Sequence, residues 1–363
     1  MEYTTTSSGR FQPKDFDLFV GMDVDKRSIA VTLINDLGQR KSFKMGYDPR
    51  GVLAYLHRNF PERRAAFVYE AGPTGFGLYD VIEGSGYPCL VVSPSLVPTV
   101  KGKRVKNNRL DSIKLAESLK GGQVSGIRVP VFIYRELREL TQLRNTFVDD
   151  IRSTKCRIKA LLLTNGIEYP ESQKQSQWSR KVLEQLRGLT CSPAVRFKLD
   201  RLLDQLEWSK NQALKTQSAL RTMLAGNEEL AESMRYLMSI PGIGWIIASY
   251  ALARIGDWRH LKRSDEMASF FGLVPTENST GDHEDRGSIT KTGDQRLRCM
   301  LIQGAWVAIR KDPELREFYQ RIVSNHPRNT GPRVAIVAVA RKLATRMHCV
   351  LRERREYQVS SGQ

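Results

Sequence analysis

The chain has little that could hold it together covalently. Its five cysteines (Cys89, Cys156, Cys191, Cys299 and Cys349) are odd in number, far apart and in no metal-ligand spacing. That excludes a disulfide framework and a cysteine-built zinc module, and it fits a reducing cytoplasm. No apolar run is long enough to span a bilayer, and no apolar signal core stands near the N-terminus. The expectation is a soluble, cytoplasmic protein with no membrane partner. Internal repeats and low-complexity tracts are missing too, which sets solenoids aside. Above all the chain is short of acid: 39 Asp and Glu against 57 Lys and Arg, a net charge of +18. Such a surplus calls for a polyanion. Nucleic acid is the reading, because the cations spread over the whole chain and not along one amphipathic membrane helix.

With 363 residues there is room for two or three domains with buried cores. Residues 1–15 are polar and Ser/Thr-rich and read as a loose tail. Over 16–131 the stretches DLFVGMDVDK, SIAVTLIND and QRKSFKMGYD read as strands joined by short turns such as Asp36-Leu37-Gly38, an antiparallel meander. Helix GVLAYLHRNF, strand AAFVYEAG, helix GLYDVIEGSG, strand PCLVVSP and helix NRLDSIKLAESLK follow. Three strands and then alternating helix and strand imply a mixed α/β sheet with helices on its faces.

Over 132–226 the pattern turns helical. Apolar residues recur at three- and four-residue steps (Leu137, Leu140, Leu143, Phe147, Ile151, Ile158, Leu162), and again at Leu199, Leu202, Leu203, Leu206, Leu214 and Leu220. Two such helices make an arm, and the sequence admits both an ordinary helical linker domain and an intermolecular coiled coil. Residues 227–353 read as a helical domain, with 354–363 a tail. Within it, Ile240-Pro241-Gly242-Ile243-Gly244 resembles the turn of a helix-hairpin-helix module. That turn would offer backbone N–H groups near Gly242 and Gly244 to a phosphate.

Inside the helical domain lies one long polar stretch, PTENSTGDHEDRGSITKTG, from Pro275 to Gly293. Its glycines break any regular period, and a loop of this length in a folded domain is usually there to bind or react. It sets Ser279 near Arg286, Lys291, Arg296 and Arg298. A hydroxyl among fixed cations suits attack on a phosphodiester, since the cations stabilise charge building on phosphate. On residue chemistry alone, a solvated loop that only grips a phosphate backbone comes first.

Three acids in the first domain form a second constellation: Asp23 at the end of the first strand, Glu70 at the end of AAFVYE, and Asp111 opening a helix. The last follows the basic segment KGKRVKNNR, whose Lys103, Arg104 and Lys106 are candidate nucleic-acid contacts. Singly each acid reads as structural. Together they can converge on one or two Mg²⁺ ions, as phosphodiester chemistry requires.

The collinear pattern GMDVDK, VYEAGPTG, KNNRLDSIKLA, SIPGIGWIIASYALARIGDW and FFGLVPTENSTG…RGSITKTGDQRLR resembles the DEDD transposases of bacterial insertion-sequence family 110. Their 1111 subgroup and the Piv-type DNA invertases share it, and the likeness runs from about Phe19 to Ala340. The resemblance implies a RuvC/RNase-H-like first domain and a C-terminal helical transposase domain whose serine is the nucleophile. It also implies a composite site and an element-encoded structured guide RNA (a bridge RNA) that pairs with donor and target DNA. By motif, Asp23, Glu70 and Asp111 are the first, second and last acids of the tetrad, holding Mg²⁺ with Mn²⁺ as substitute. In the third position, where the pattern K-T-D-R-x-D-A has aspartate, this chain has Asn108, which offers a carbonyl oxygen but no charge. The nucleophile falls on Ser279, with Thr280 the nearest other hydroxyl. The implied setting is the bacterial cytoplasm, acting at the nucleoid, and the helical arm suggests a homo-oligomer (dimer or tetramer). Two rivals stand beside it: a metal-dependent junction nuclease in which Ser279 is incidental, and a non-catalytic nucleic-acid-binding copy.

Overall fold

In the computed structural model, which describes residues 11–94, 108–170, 178–277 and 286–359, the chain divides into two compact units, Met1–Val129 and Pro130–Gln363. The first is built on the strand LFVGMDV, β1 (Leu18–Val24). With β2 (Ser28–Asn35), β3 (Arg40–Gly46), β4 (Ala65–Glu70) and β5 (Cys89–Val92) it forms a five-stranded mixed sheet ordered β3-β2-β1-β4-β5. The β1–β2–β3 meander is antiparallel, whereas β4 and β5 run parallel to β1 and to each other.

Period-two alternation decides what each face of this sheet carries. Leu18, Val20 and Met22 of β1, with Phe67 and Tyr69 of β4, pack under α1 (Pro49–Asn59) and α2 (Gly77–Gly84). The intervening residues Phe19, Ala66 and Val68 meet Leu115 and Leu119 of α3 (Asn108–Lys120) on the opposite face. Gly21 shares that second face, and there the helix backbone comes down on the strand. A Cβ at Gly21 would stand 2.2 Å from the Ser112 carbonyl oxygen and 2.4 Å from the Ala116 nitrogen. The buried Ser112 hydroxyl meets that of Thr32 in β2 at 2.8 Å, which fixes the helix along the sheet.

Gly21→Ala should therefore cost stability at or above the upper end of the ~1–3 kcal/mol usual for overpacking, because the obstructing atoms are backbone. A thermal melt checks it: the midpoint should drop by several degrees, and an unchanged midpoint would mean that α3 does not seat on β1.

The second unit begins with two 33-residue helices, α4 (Phe132–Thr164) and α6 (Pro193–Ala225), each about 50 Å long. They run antiparallel: Tyr134 and Leu137 share a core with Leu220 and Leu224 at one end, and Ile158 and Leu162 share one with Leu199 and Leu203 at the other. Between those ends the buried seam is polar, with Thr141, Asn145, Thr154, Ser209 and Thr216. Leu143 and Leu214, which fit the helical period, stand outside it at 45% and 64% exposure, so periodicity alone overstates the apolar stripe.

The stretch 165–192 is more than a connector. It holds α5 (Arg180–Arg187), N-capped by Ser179, with Val182 and Leu186 buried against the hairpin.

The remaining helices are α7 (Glu228–Met238), α8 (Trp245–Ile255), α9 (Ser264–Phe270), α10 (Gln295–Lys311), α11 (Pro313–Ser324) and α12 (Gly331–Glu353). They surround one core in which Val339, Ala340, Leu343, Ala344 and Met347 of α12 are fully buried. The polar stretch from Pro275 is a correction to the sequence reading, since its two ends are not loop. They pair as β6 (Pro275–Glu277) and β7 (Arg286–Ile289), antiparallel with an irregular register. The Thr276 hydroxyl donates to the Ser288 carbonyl at 3.0 Å. Strands this short and polar show no apolar alternation, so the sequence pattern gives no sign of them. Among the described residues no helix is long and apolar enough to cross a membrane.

Candidate functional site

Asp23 and Glu70 follow from the same alternation. Asp23 lies two residues beyond Gly21 and Glu70 two beyond Val68, so both point to the face that α3 covers. The register pairs Met22 with Tyr69, which leaves the two acids at neighbouring strand ends. α3 brings Asp111 to them, one residue before the Ser112 that anchors the helix to Thr32. Asp23 feels the result. Burial pushes its carboxyl above the usual aspartate range, the charges of Asp111, Glu70 and Asp25 push it further, and Lys44 opposes them. Asp111 is braced by Lys114, one turn along α3, at 3.3 Å.

Among the described residues no three His, Cys, Asp or Glu side chains close into a ready-made metal cage. The donor chemistry nevertheless fits a divalent cation. A half-buried carboxylate raised by neighbouring carboxylates carries the repulsion that a cation removes. Mg²⁺ in particular needs only one or two protein carboxylates, with water and phosphate oxygens completing its octahedron. The described part of Asn108 is its backbone, at the start of α3; its side chain lies outside the described residues.

Ser279 and Thr280 lie outside the described residues, as do Lys103, Arg104 and Lys106 and the side chain of Arg286. What the structure describes is the footing of the segment that carries Ser279. The chain entering β6 and the chain leaving β7 cross at two glycines, both with positive φ. A Cβ on Gly272 would stand 2.2 Å from the Thr292 carbonyl oxygen, and one on Gly293 2.3 Å from that of Phe270. Arg298 locks the crossing by donating to the carbonyls of Phe271 and Thr292. This guanidinium, read from sequence as one cation of the basic loop, is buried and spends its donors on the backbone.

The other cations of the group separate as well. Lys291 is exposed, held at φ +55° beside the crossing. Arg296, in the first turn of α10, forms an ion pair with Asp149 of α4. Asp294 caps α10 by accepting from the Leu297 N–H at 2.9 Å, and its other oxygen receives Arg254 at 2.6 Å and Tyr250 Oη at 3.0 Å. Arg138 of α4 donates to the carbonyls of Ala253 and Arg254 at the end of α8. Arg138, Arg254 and Asp294 were invisible as a group in the sequence, because they meet only through the packing of α4, α8 and α10.

The two turn glycines read as phosphate contacts differ in role. Gly244 is the N-cap of α8, exposed and with open space where a Cβ would be. Gly242 has φ +90°, and a Cβ there would meet the Gly304 carbonyl oxygen at 2.2 Å. It is the place where α10 crosses the turn. Trp245, the first residue of α8, carries the Arg221 guanidinium over its ring at 4.7 Å.

Comparison with known proteins covers both halves of this architecture. Residues 20–165 match the model of a DEDD transposase family, and residues 234–320 match that of the transposase IS116/IS110/IS902 family. The transposase y4qE of Sinorhizobium fredii is 28% identical over 94% of this chain and 90% of its own length. The transposase for insertion sequence element IS1111A of Coxiella burnetii is 25% identical over 79% of each chain. The pilin gene-inverting protein of Moraxella bovis is 29% identical over 36% of this chain and 40% of its own. With the acid-bearing sheet under one match and the footing of the Ser279 segment under the other, the chain belongs to the IS110-type DEDD transposases.

Proposed function

We propose that this transposase cuts and rejoins DNA through a serine–DNA intermediate, with Ser279 as nucleophile and Asp23, Glu70 and Asp111 as the ligands of a Mg²⁺ site in a RuvC-like domain. The observation that carries the reading is the placement of Asp23 and Glu70 at neighbouring strand ends on the face covered by α3, whose first turn bears Asp111. The Ser279 hydroxyl oxygen forms a bond to phosphorus as the bond from phosphorus to the departing DNA oxygen breaks. The hydroxyl proton goes to that departing oxygen, directly or through solvent. One phosphate ester replaces another, so the reverse attack by a DNA hydroxyl rejoins a strand without an outside energy source. Mg²⁺, when bound, polarises the phosphate and lowers the pKa of an attacking hydroxyl.

The residues set the rest of the chemistry. Burial and the neighbouring carboxylates disfavour the charged form of Asp23, a repulsion that a bound cation would relieve. Arg298 and Asp294 hold the two chain ends from which the Ser279 segment departs. The exposed Gly244 N-cap, with the helix-hairpin-helix-like turn, and the cations Lys291, Arg286, Lys103, Arg104 and Lys106 are the proposed backbone contacts. Leu143, Trp208 and Leu214, exposed along the α4–α6 arm, support a homo-oligomer assembled through it as a coiled coil.

A structured guide RNA belongs to the same reading, resting on the family and the +18 charge. RNA copurified from cells that carry the whole element should be one discrete species matching sequence next to the transposase gene. Its affinity should fall steeply with salt. A heterogeneous background with no preference for those flanks would remove the guide and leave direct DNA recognition.

A further inference from the structure

The first turn of α10 gathers more positive charge than it neutralises. Arg254 is paired with Asp294, and Arg298 is satisfied by backbone carbonyls. Arg296 has Asp149, a carboxylate 56% exposed, and surface pairs of this kind contribute little. Arg144, from α4, stands next to Arg296 and is half-buried. Its Nε is fully buried and has no acceptor among the described residues. Burial, and then the charge of Arg296, pull the Arg144 guanidinium below its ordinary range. A half-buried guanidinium with a buried, unpaired Nε and no carboxylate, beside a second guanidinium, is costly in the free protein. That cost is recovered when an anion with several acceptor oxygens arrives, and a phosphodiester matches the planar fork of arginine.

We propose that Arg144 and Arg296 clamp one backbone phosphate of duplex DNA at the foot of α10, with Arg296 exchanging Asp149 for the phosphate. The clamp joins the arm to the helix that follows the Ser279 segment, so DNA held there is registered against both. It rests on the reading of the chain as acting on DNA, but not on Ser279 as its nucleophile. Arg144 lies far from every sequence motif. Its partner Arg296 is on another helix, and the pair exists only in the folded unit.

The test uses the full chain carrying Ser279→Ala, so that no turnover complicates binding, and a labelled DNA duplex of arbitrary sequence. Arg144→Gln should weaken binding about tenfold and reduce the slope of log K against log salt by about 0.9, the loss of one phosphate contact. Without DNA, its melting temperature should be unchanged or higher, since a half-buried cation beside another cation has gone. Arg144→Lys should keep the slope and lose about threefold in affinity, having charge but no fork. Asp149→Asn should tighten binding by freeing Arg296. An unchanged slope in Arg144→Gln would overturn the clamp, and a lowered melting temperature with that unchanged slope would make Arg144 a packing residue. A slope change seen with an RNA hairpin but not with the duplex would overturn the assignment to DNA. Cleavage activity surviving in Ser279→Ala would remove the nucleophile while leaving the salt slope, and hence the clamp, standing.

Discussion

Ser279→Ala should fold, bind DNA with unchanged affinity, and lose strand exchange by roughly three orders of magnitude or more. The effect is large because the hydroxyl is the proposed attacking atom, and a missing nucleophile would remove the covalent route entirely. Binding should survive because the proposed DNA contacts lie elsewhere: in the cations around α10, at the exposed Gly244 turn and in the basic segment before α3. The footing of the segment should survive too, since Arg298 and the crossing of Gly272 with Gly293 do not involve residue 279. Strand exchange on an end-labelled element substrate measures it. Full activity in Ser279→Ala together with its loss in Thr280→Ala would move the role one residue along the chain. Full activity in both would favour a nuclease in which the carboxylates direct water.

Asp23→Asn should reduce cleavage roughly 100-fold or more and at the same time leave the free protein no less stable at neutral pH. The two effects share one origin. Burial and the charges of Asp111, Glu70 and Asp25 raise the folded-state pKa of Asp23 above its unfolded value. A group shifted that way contributes stability that is fully present below the unfolded pKa and is lost as pH rises through the folded one. Above the unfolded pKa the raised carboxyl is therefore a net cost to the free protein, and the neutral amide relieves it. The amide also gives up the charge that the proposed divalent cation would need. Thermal melts of both forms from acid to neutral pH should show Asp23→Asn gaining on the wild type as pH rises. A loss of stability at neutral pH would mean that the Asp23 carboxylate is held by favourable partners and is not strained.

Much of the first unit was legible because its chemistry follows a short period. Alternation in LFVGMDV and AAFVYE fixes which residues share a face, and thus delivers Asp23 and Glu70 to the same side of the sheet. What period cannot supply is the approach of α3. The glycine in GMD looks like any other until Ser112 and Ala116 are found 2.2 and 2.4 Å from its absent Cβ. Nor does the charge of an arginine reveal its employment. Arg296, Arg298 and Lys291 sit within a few residues of each other and read alike, yet they become an ion pair with another helix, a buried backbone clamp and an exposed cation. The proximity of Arg144 to Arg296 was hidden for the same reason: it is tertiary, between helices far apart in the chain. Short polar elements are the other blind spot, as β6, β7 and the capped helix α5 illustrate.

The proposed covalent intermediate is the most direct point of attack. The protein, with whatever RNA copurifies, is incubated with Mg²⁺ and element DNA, denatured, digested and examined by mass spectrometry. A DNA-phosphate adduct on the peptide containing Ser279, present in the wild type and absent from Ser279→Ala, is the predicted result. Cleaved DNA with no protein attached in the wild type would contradict the account.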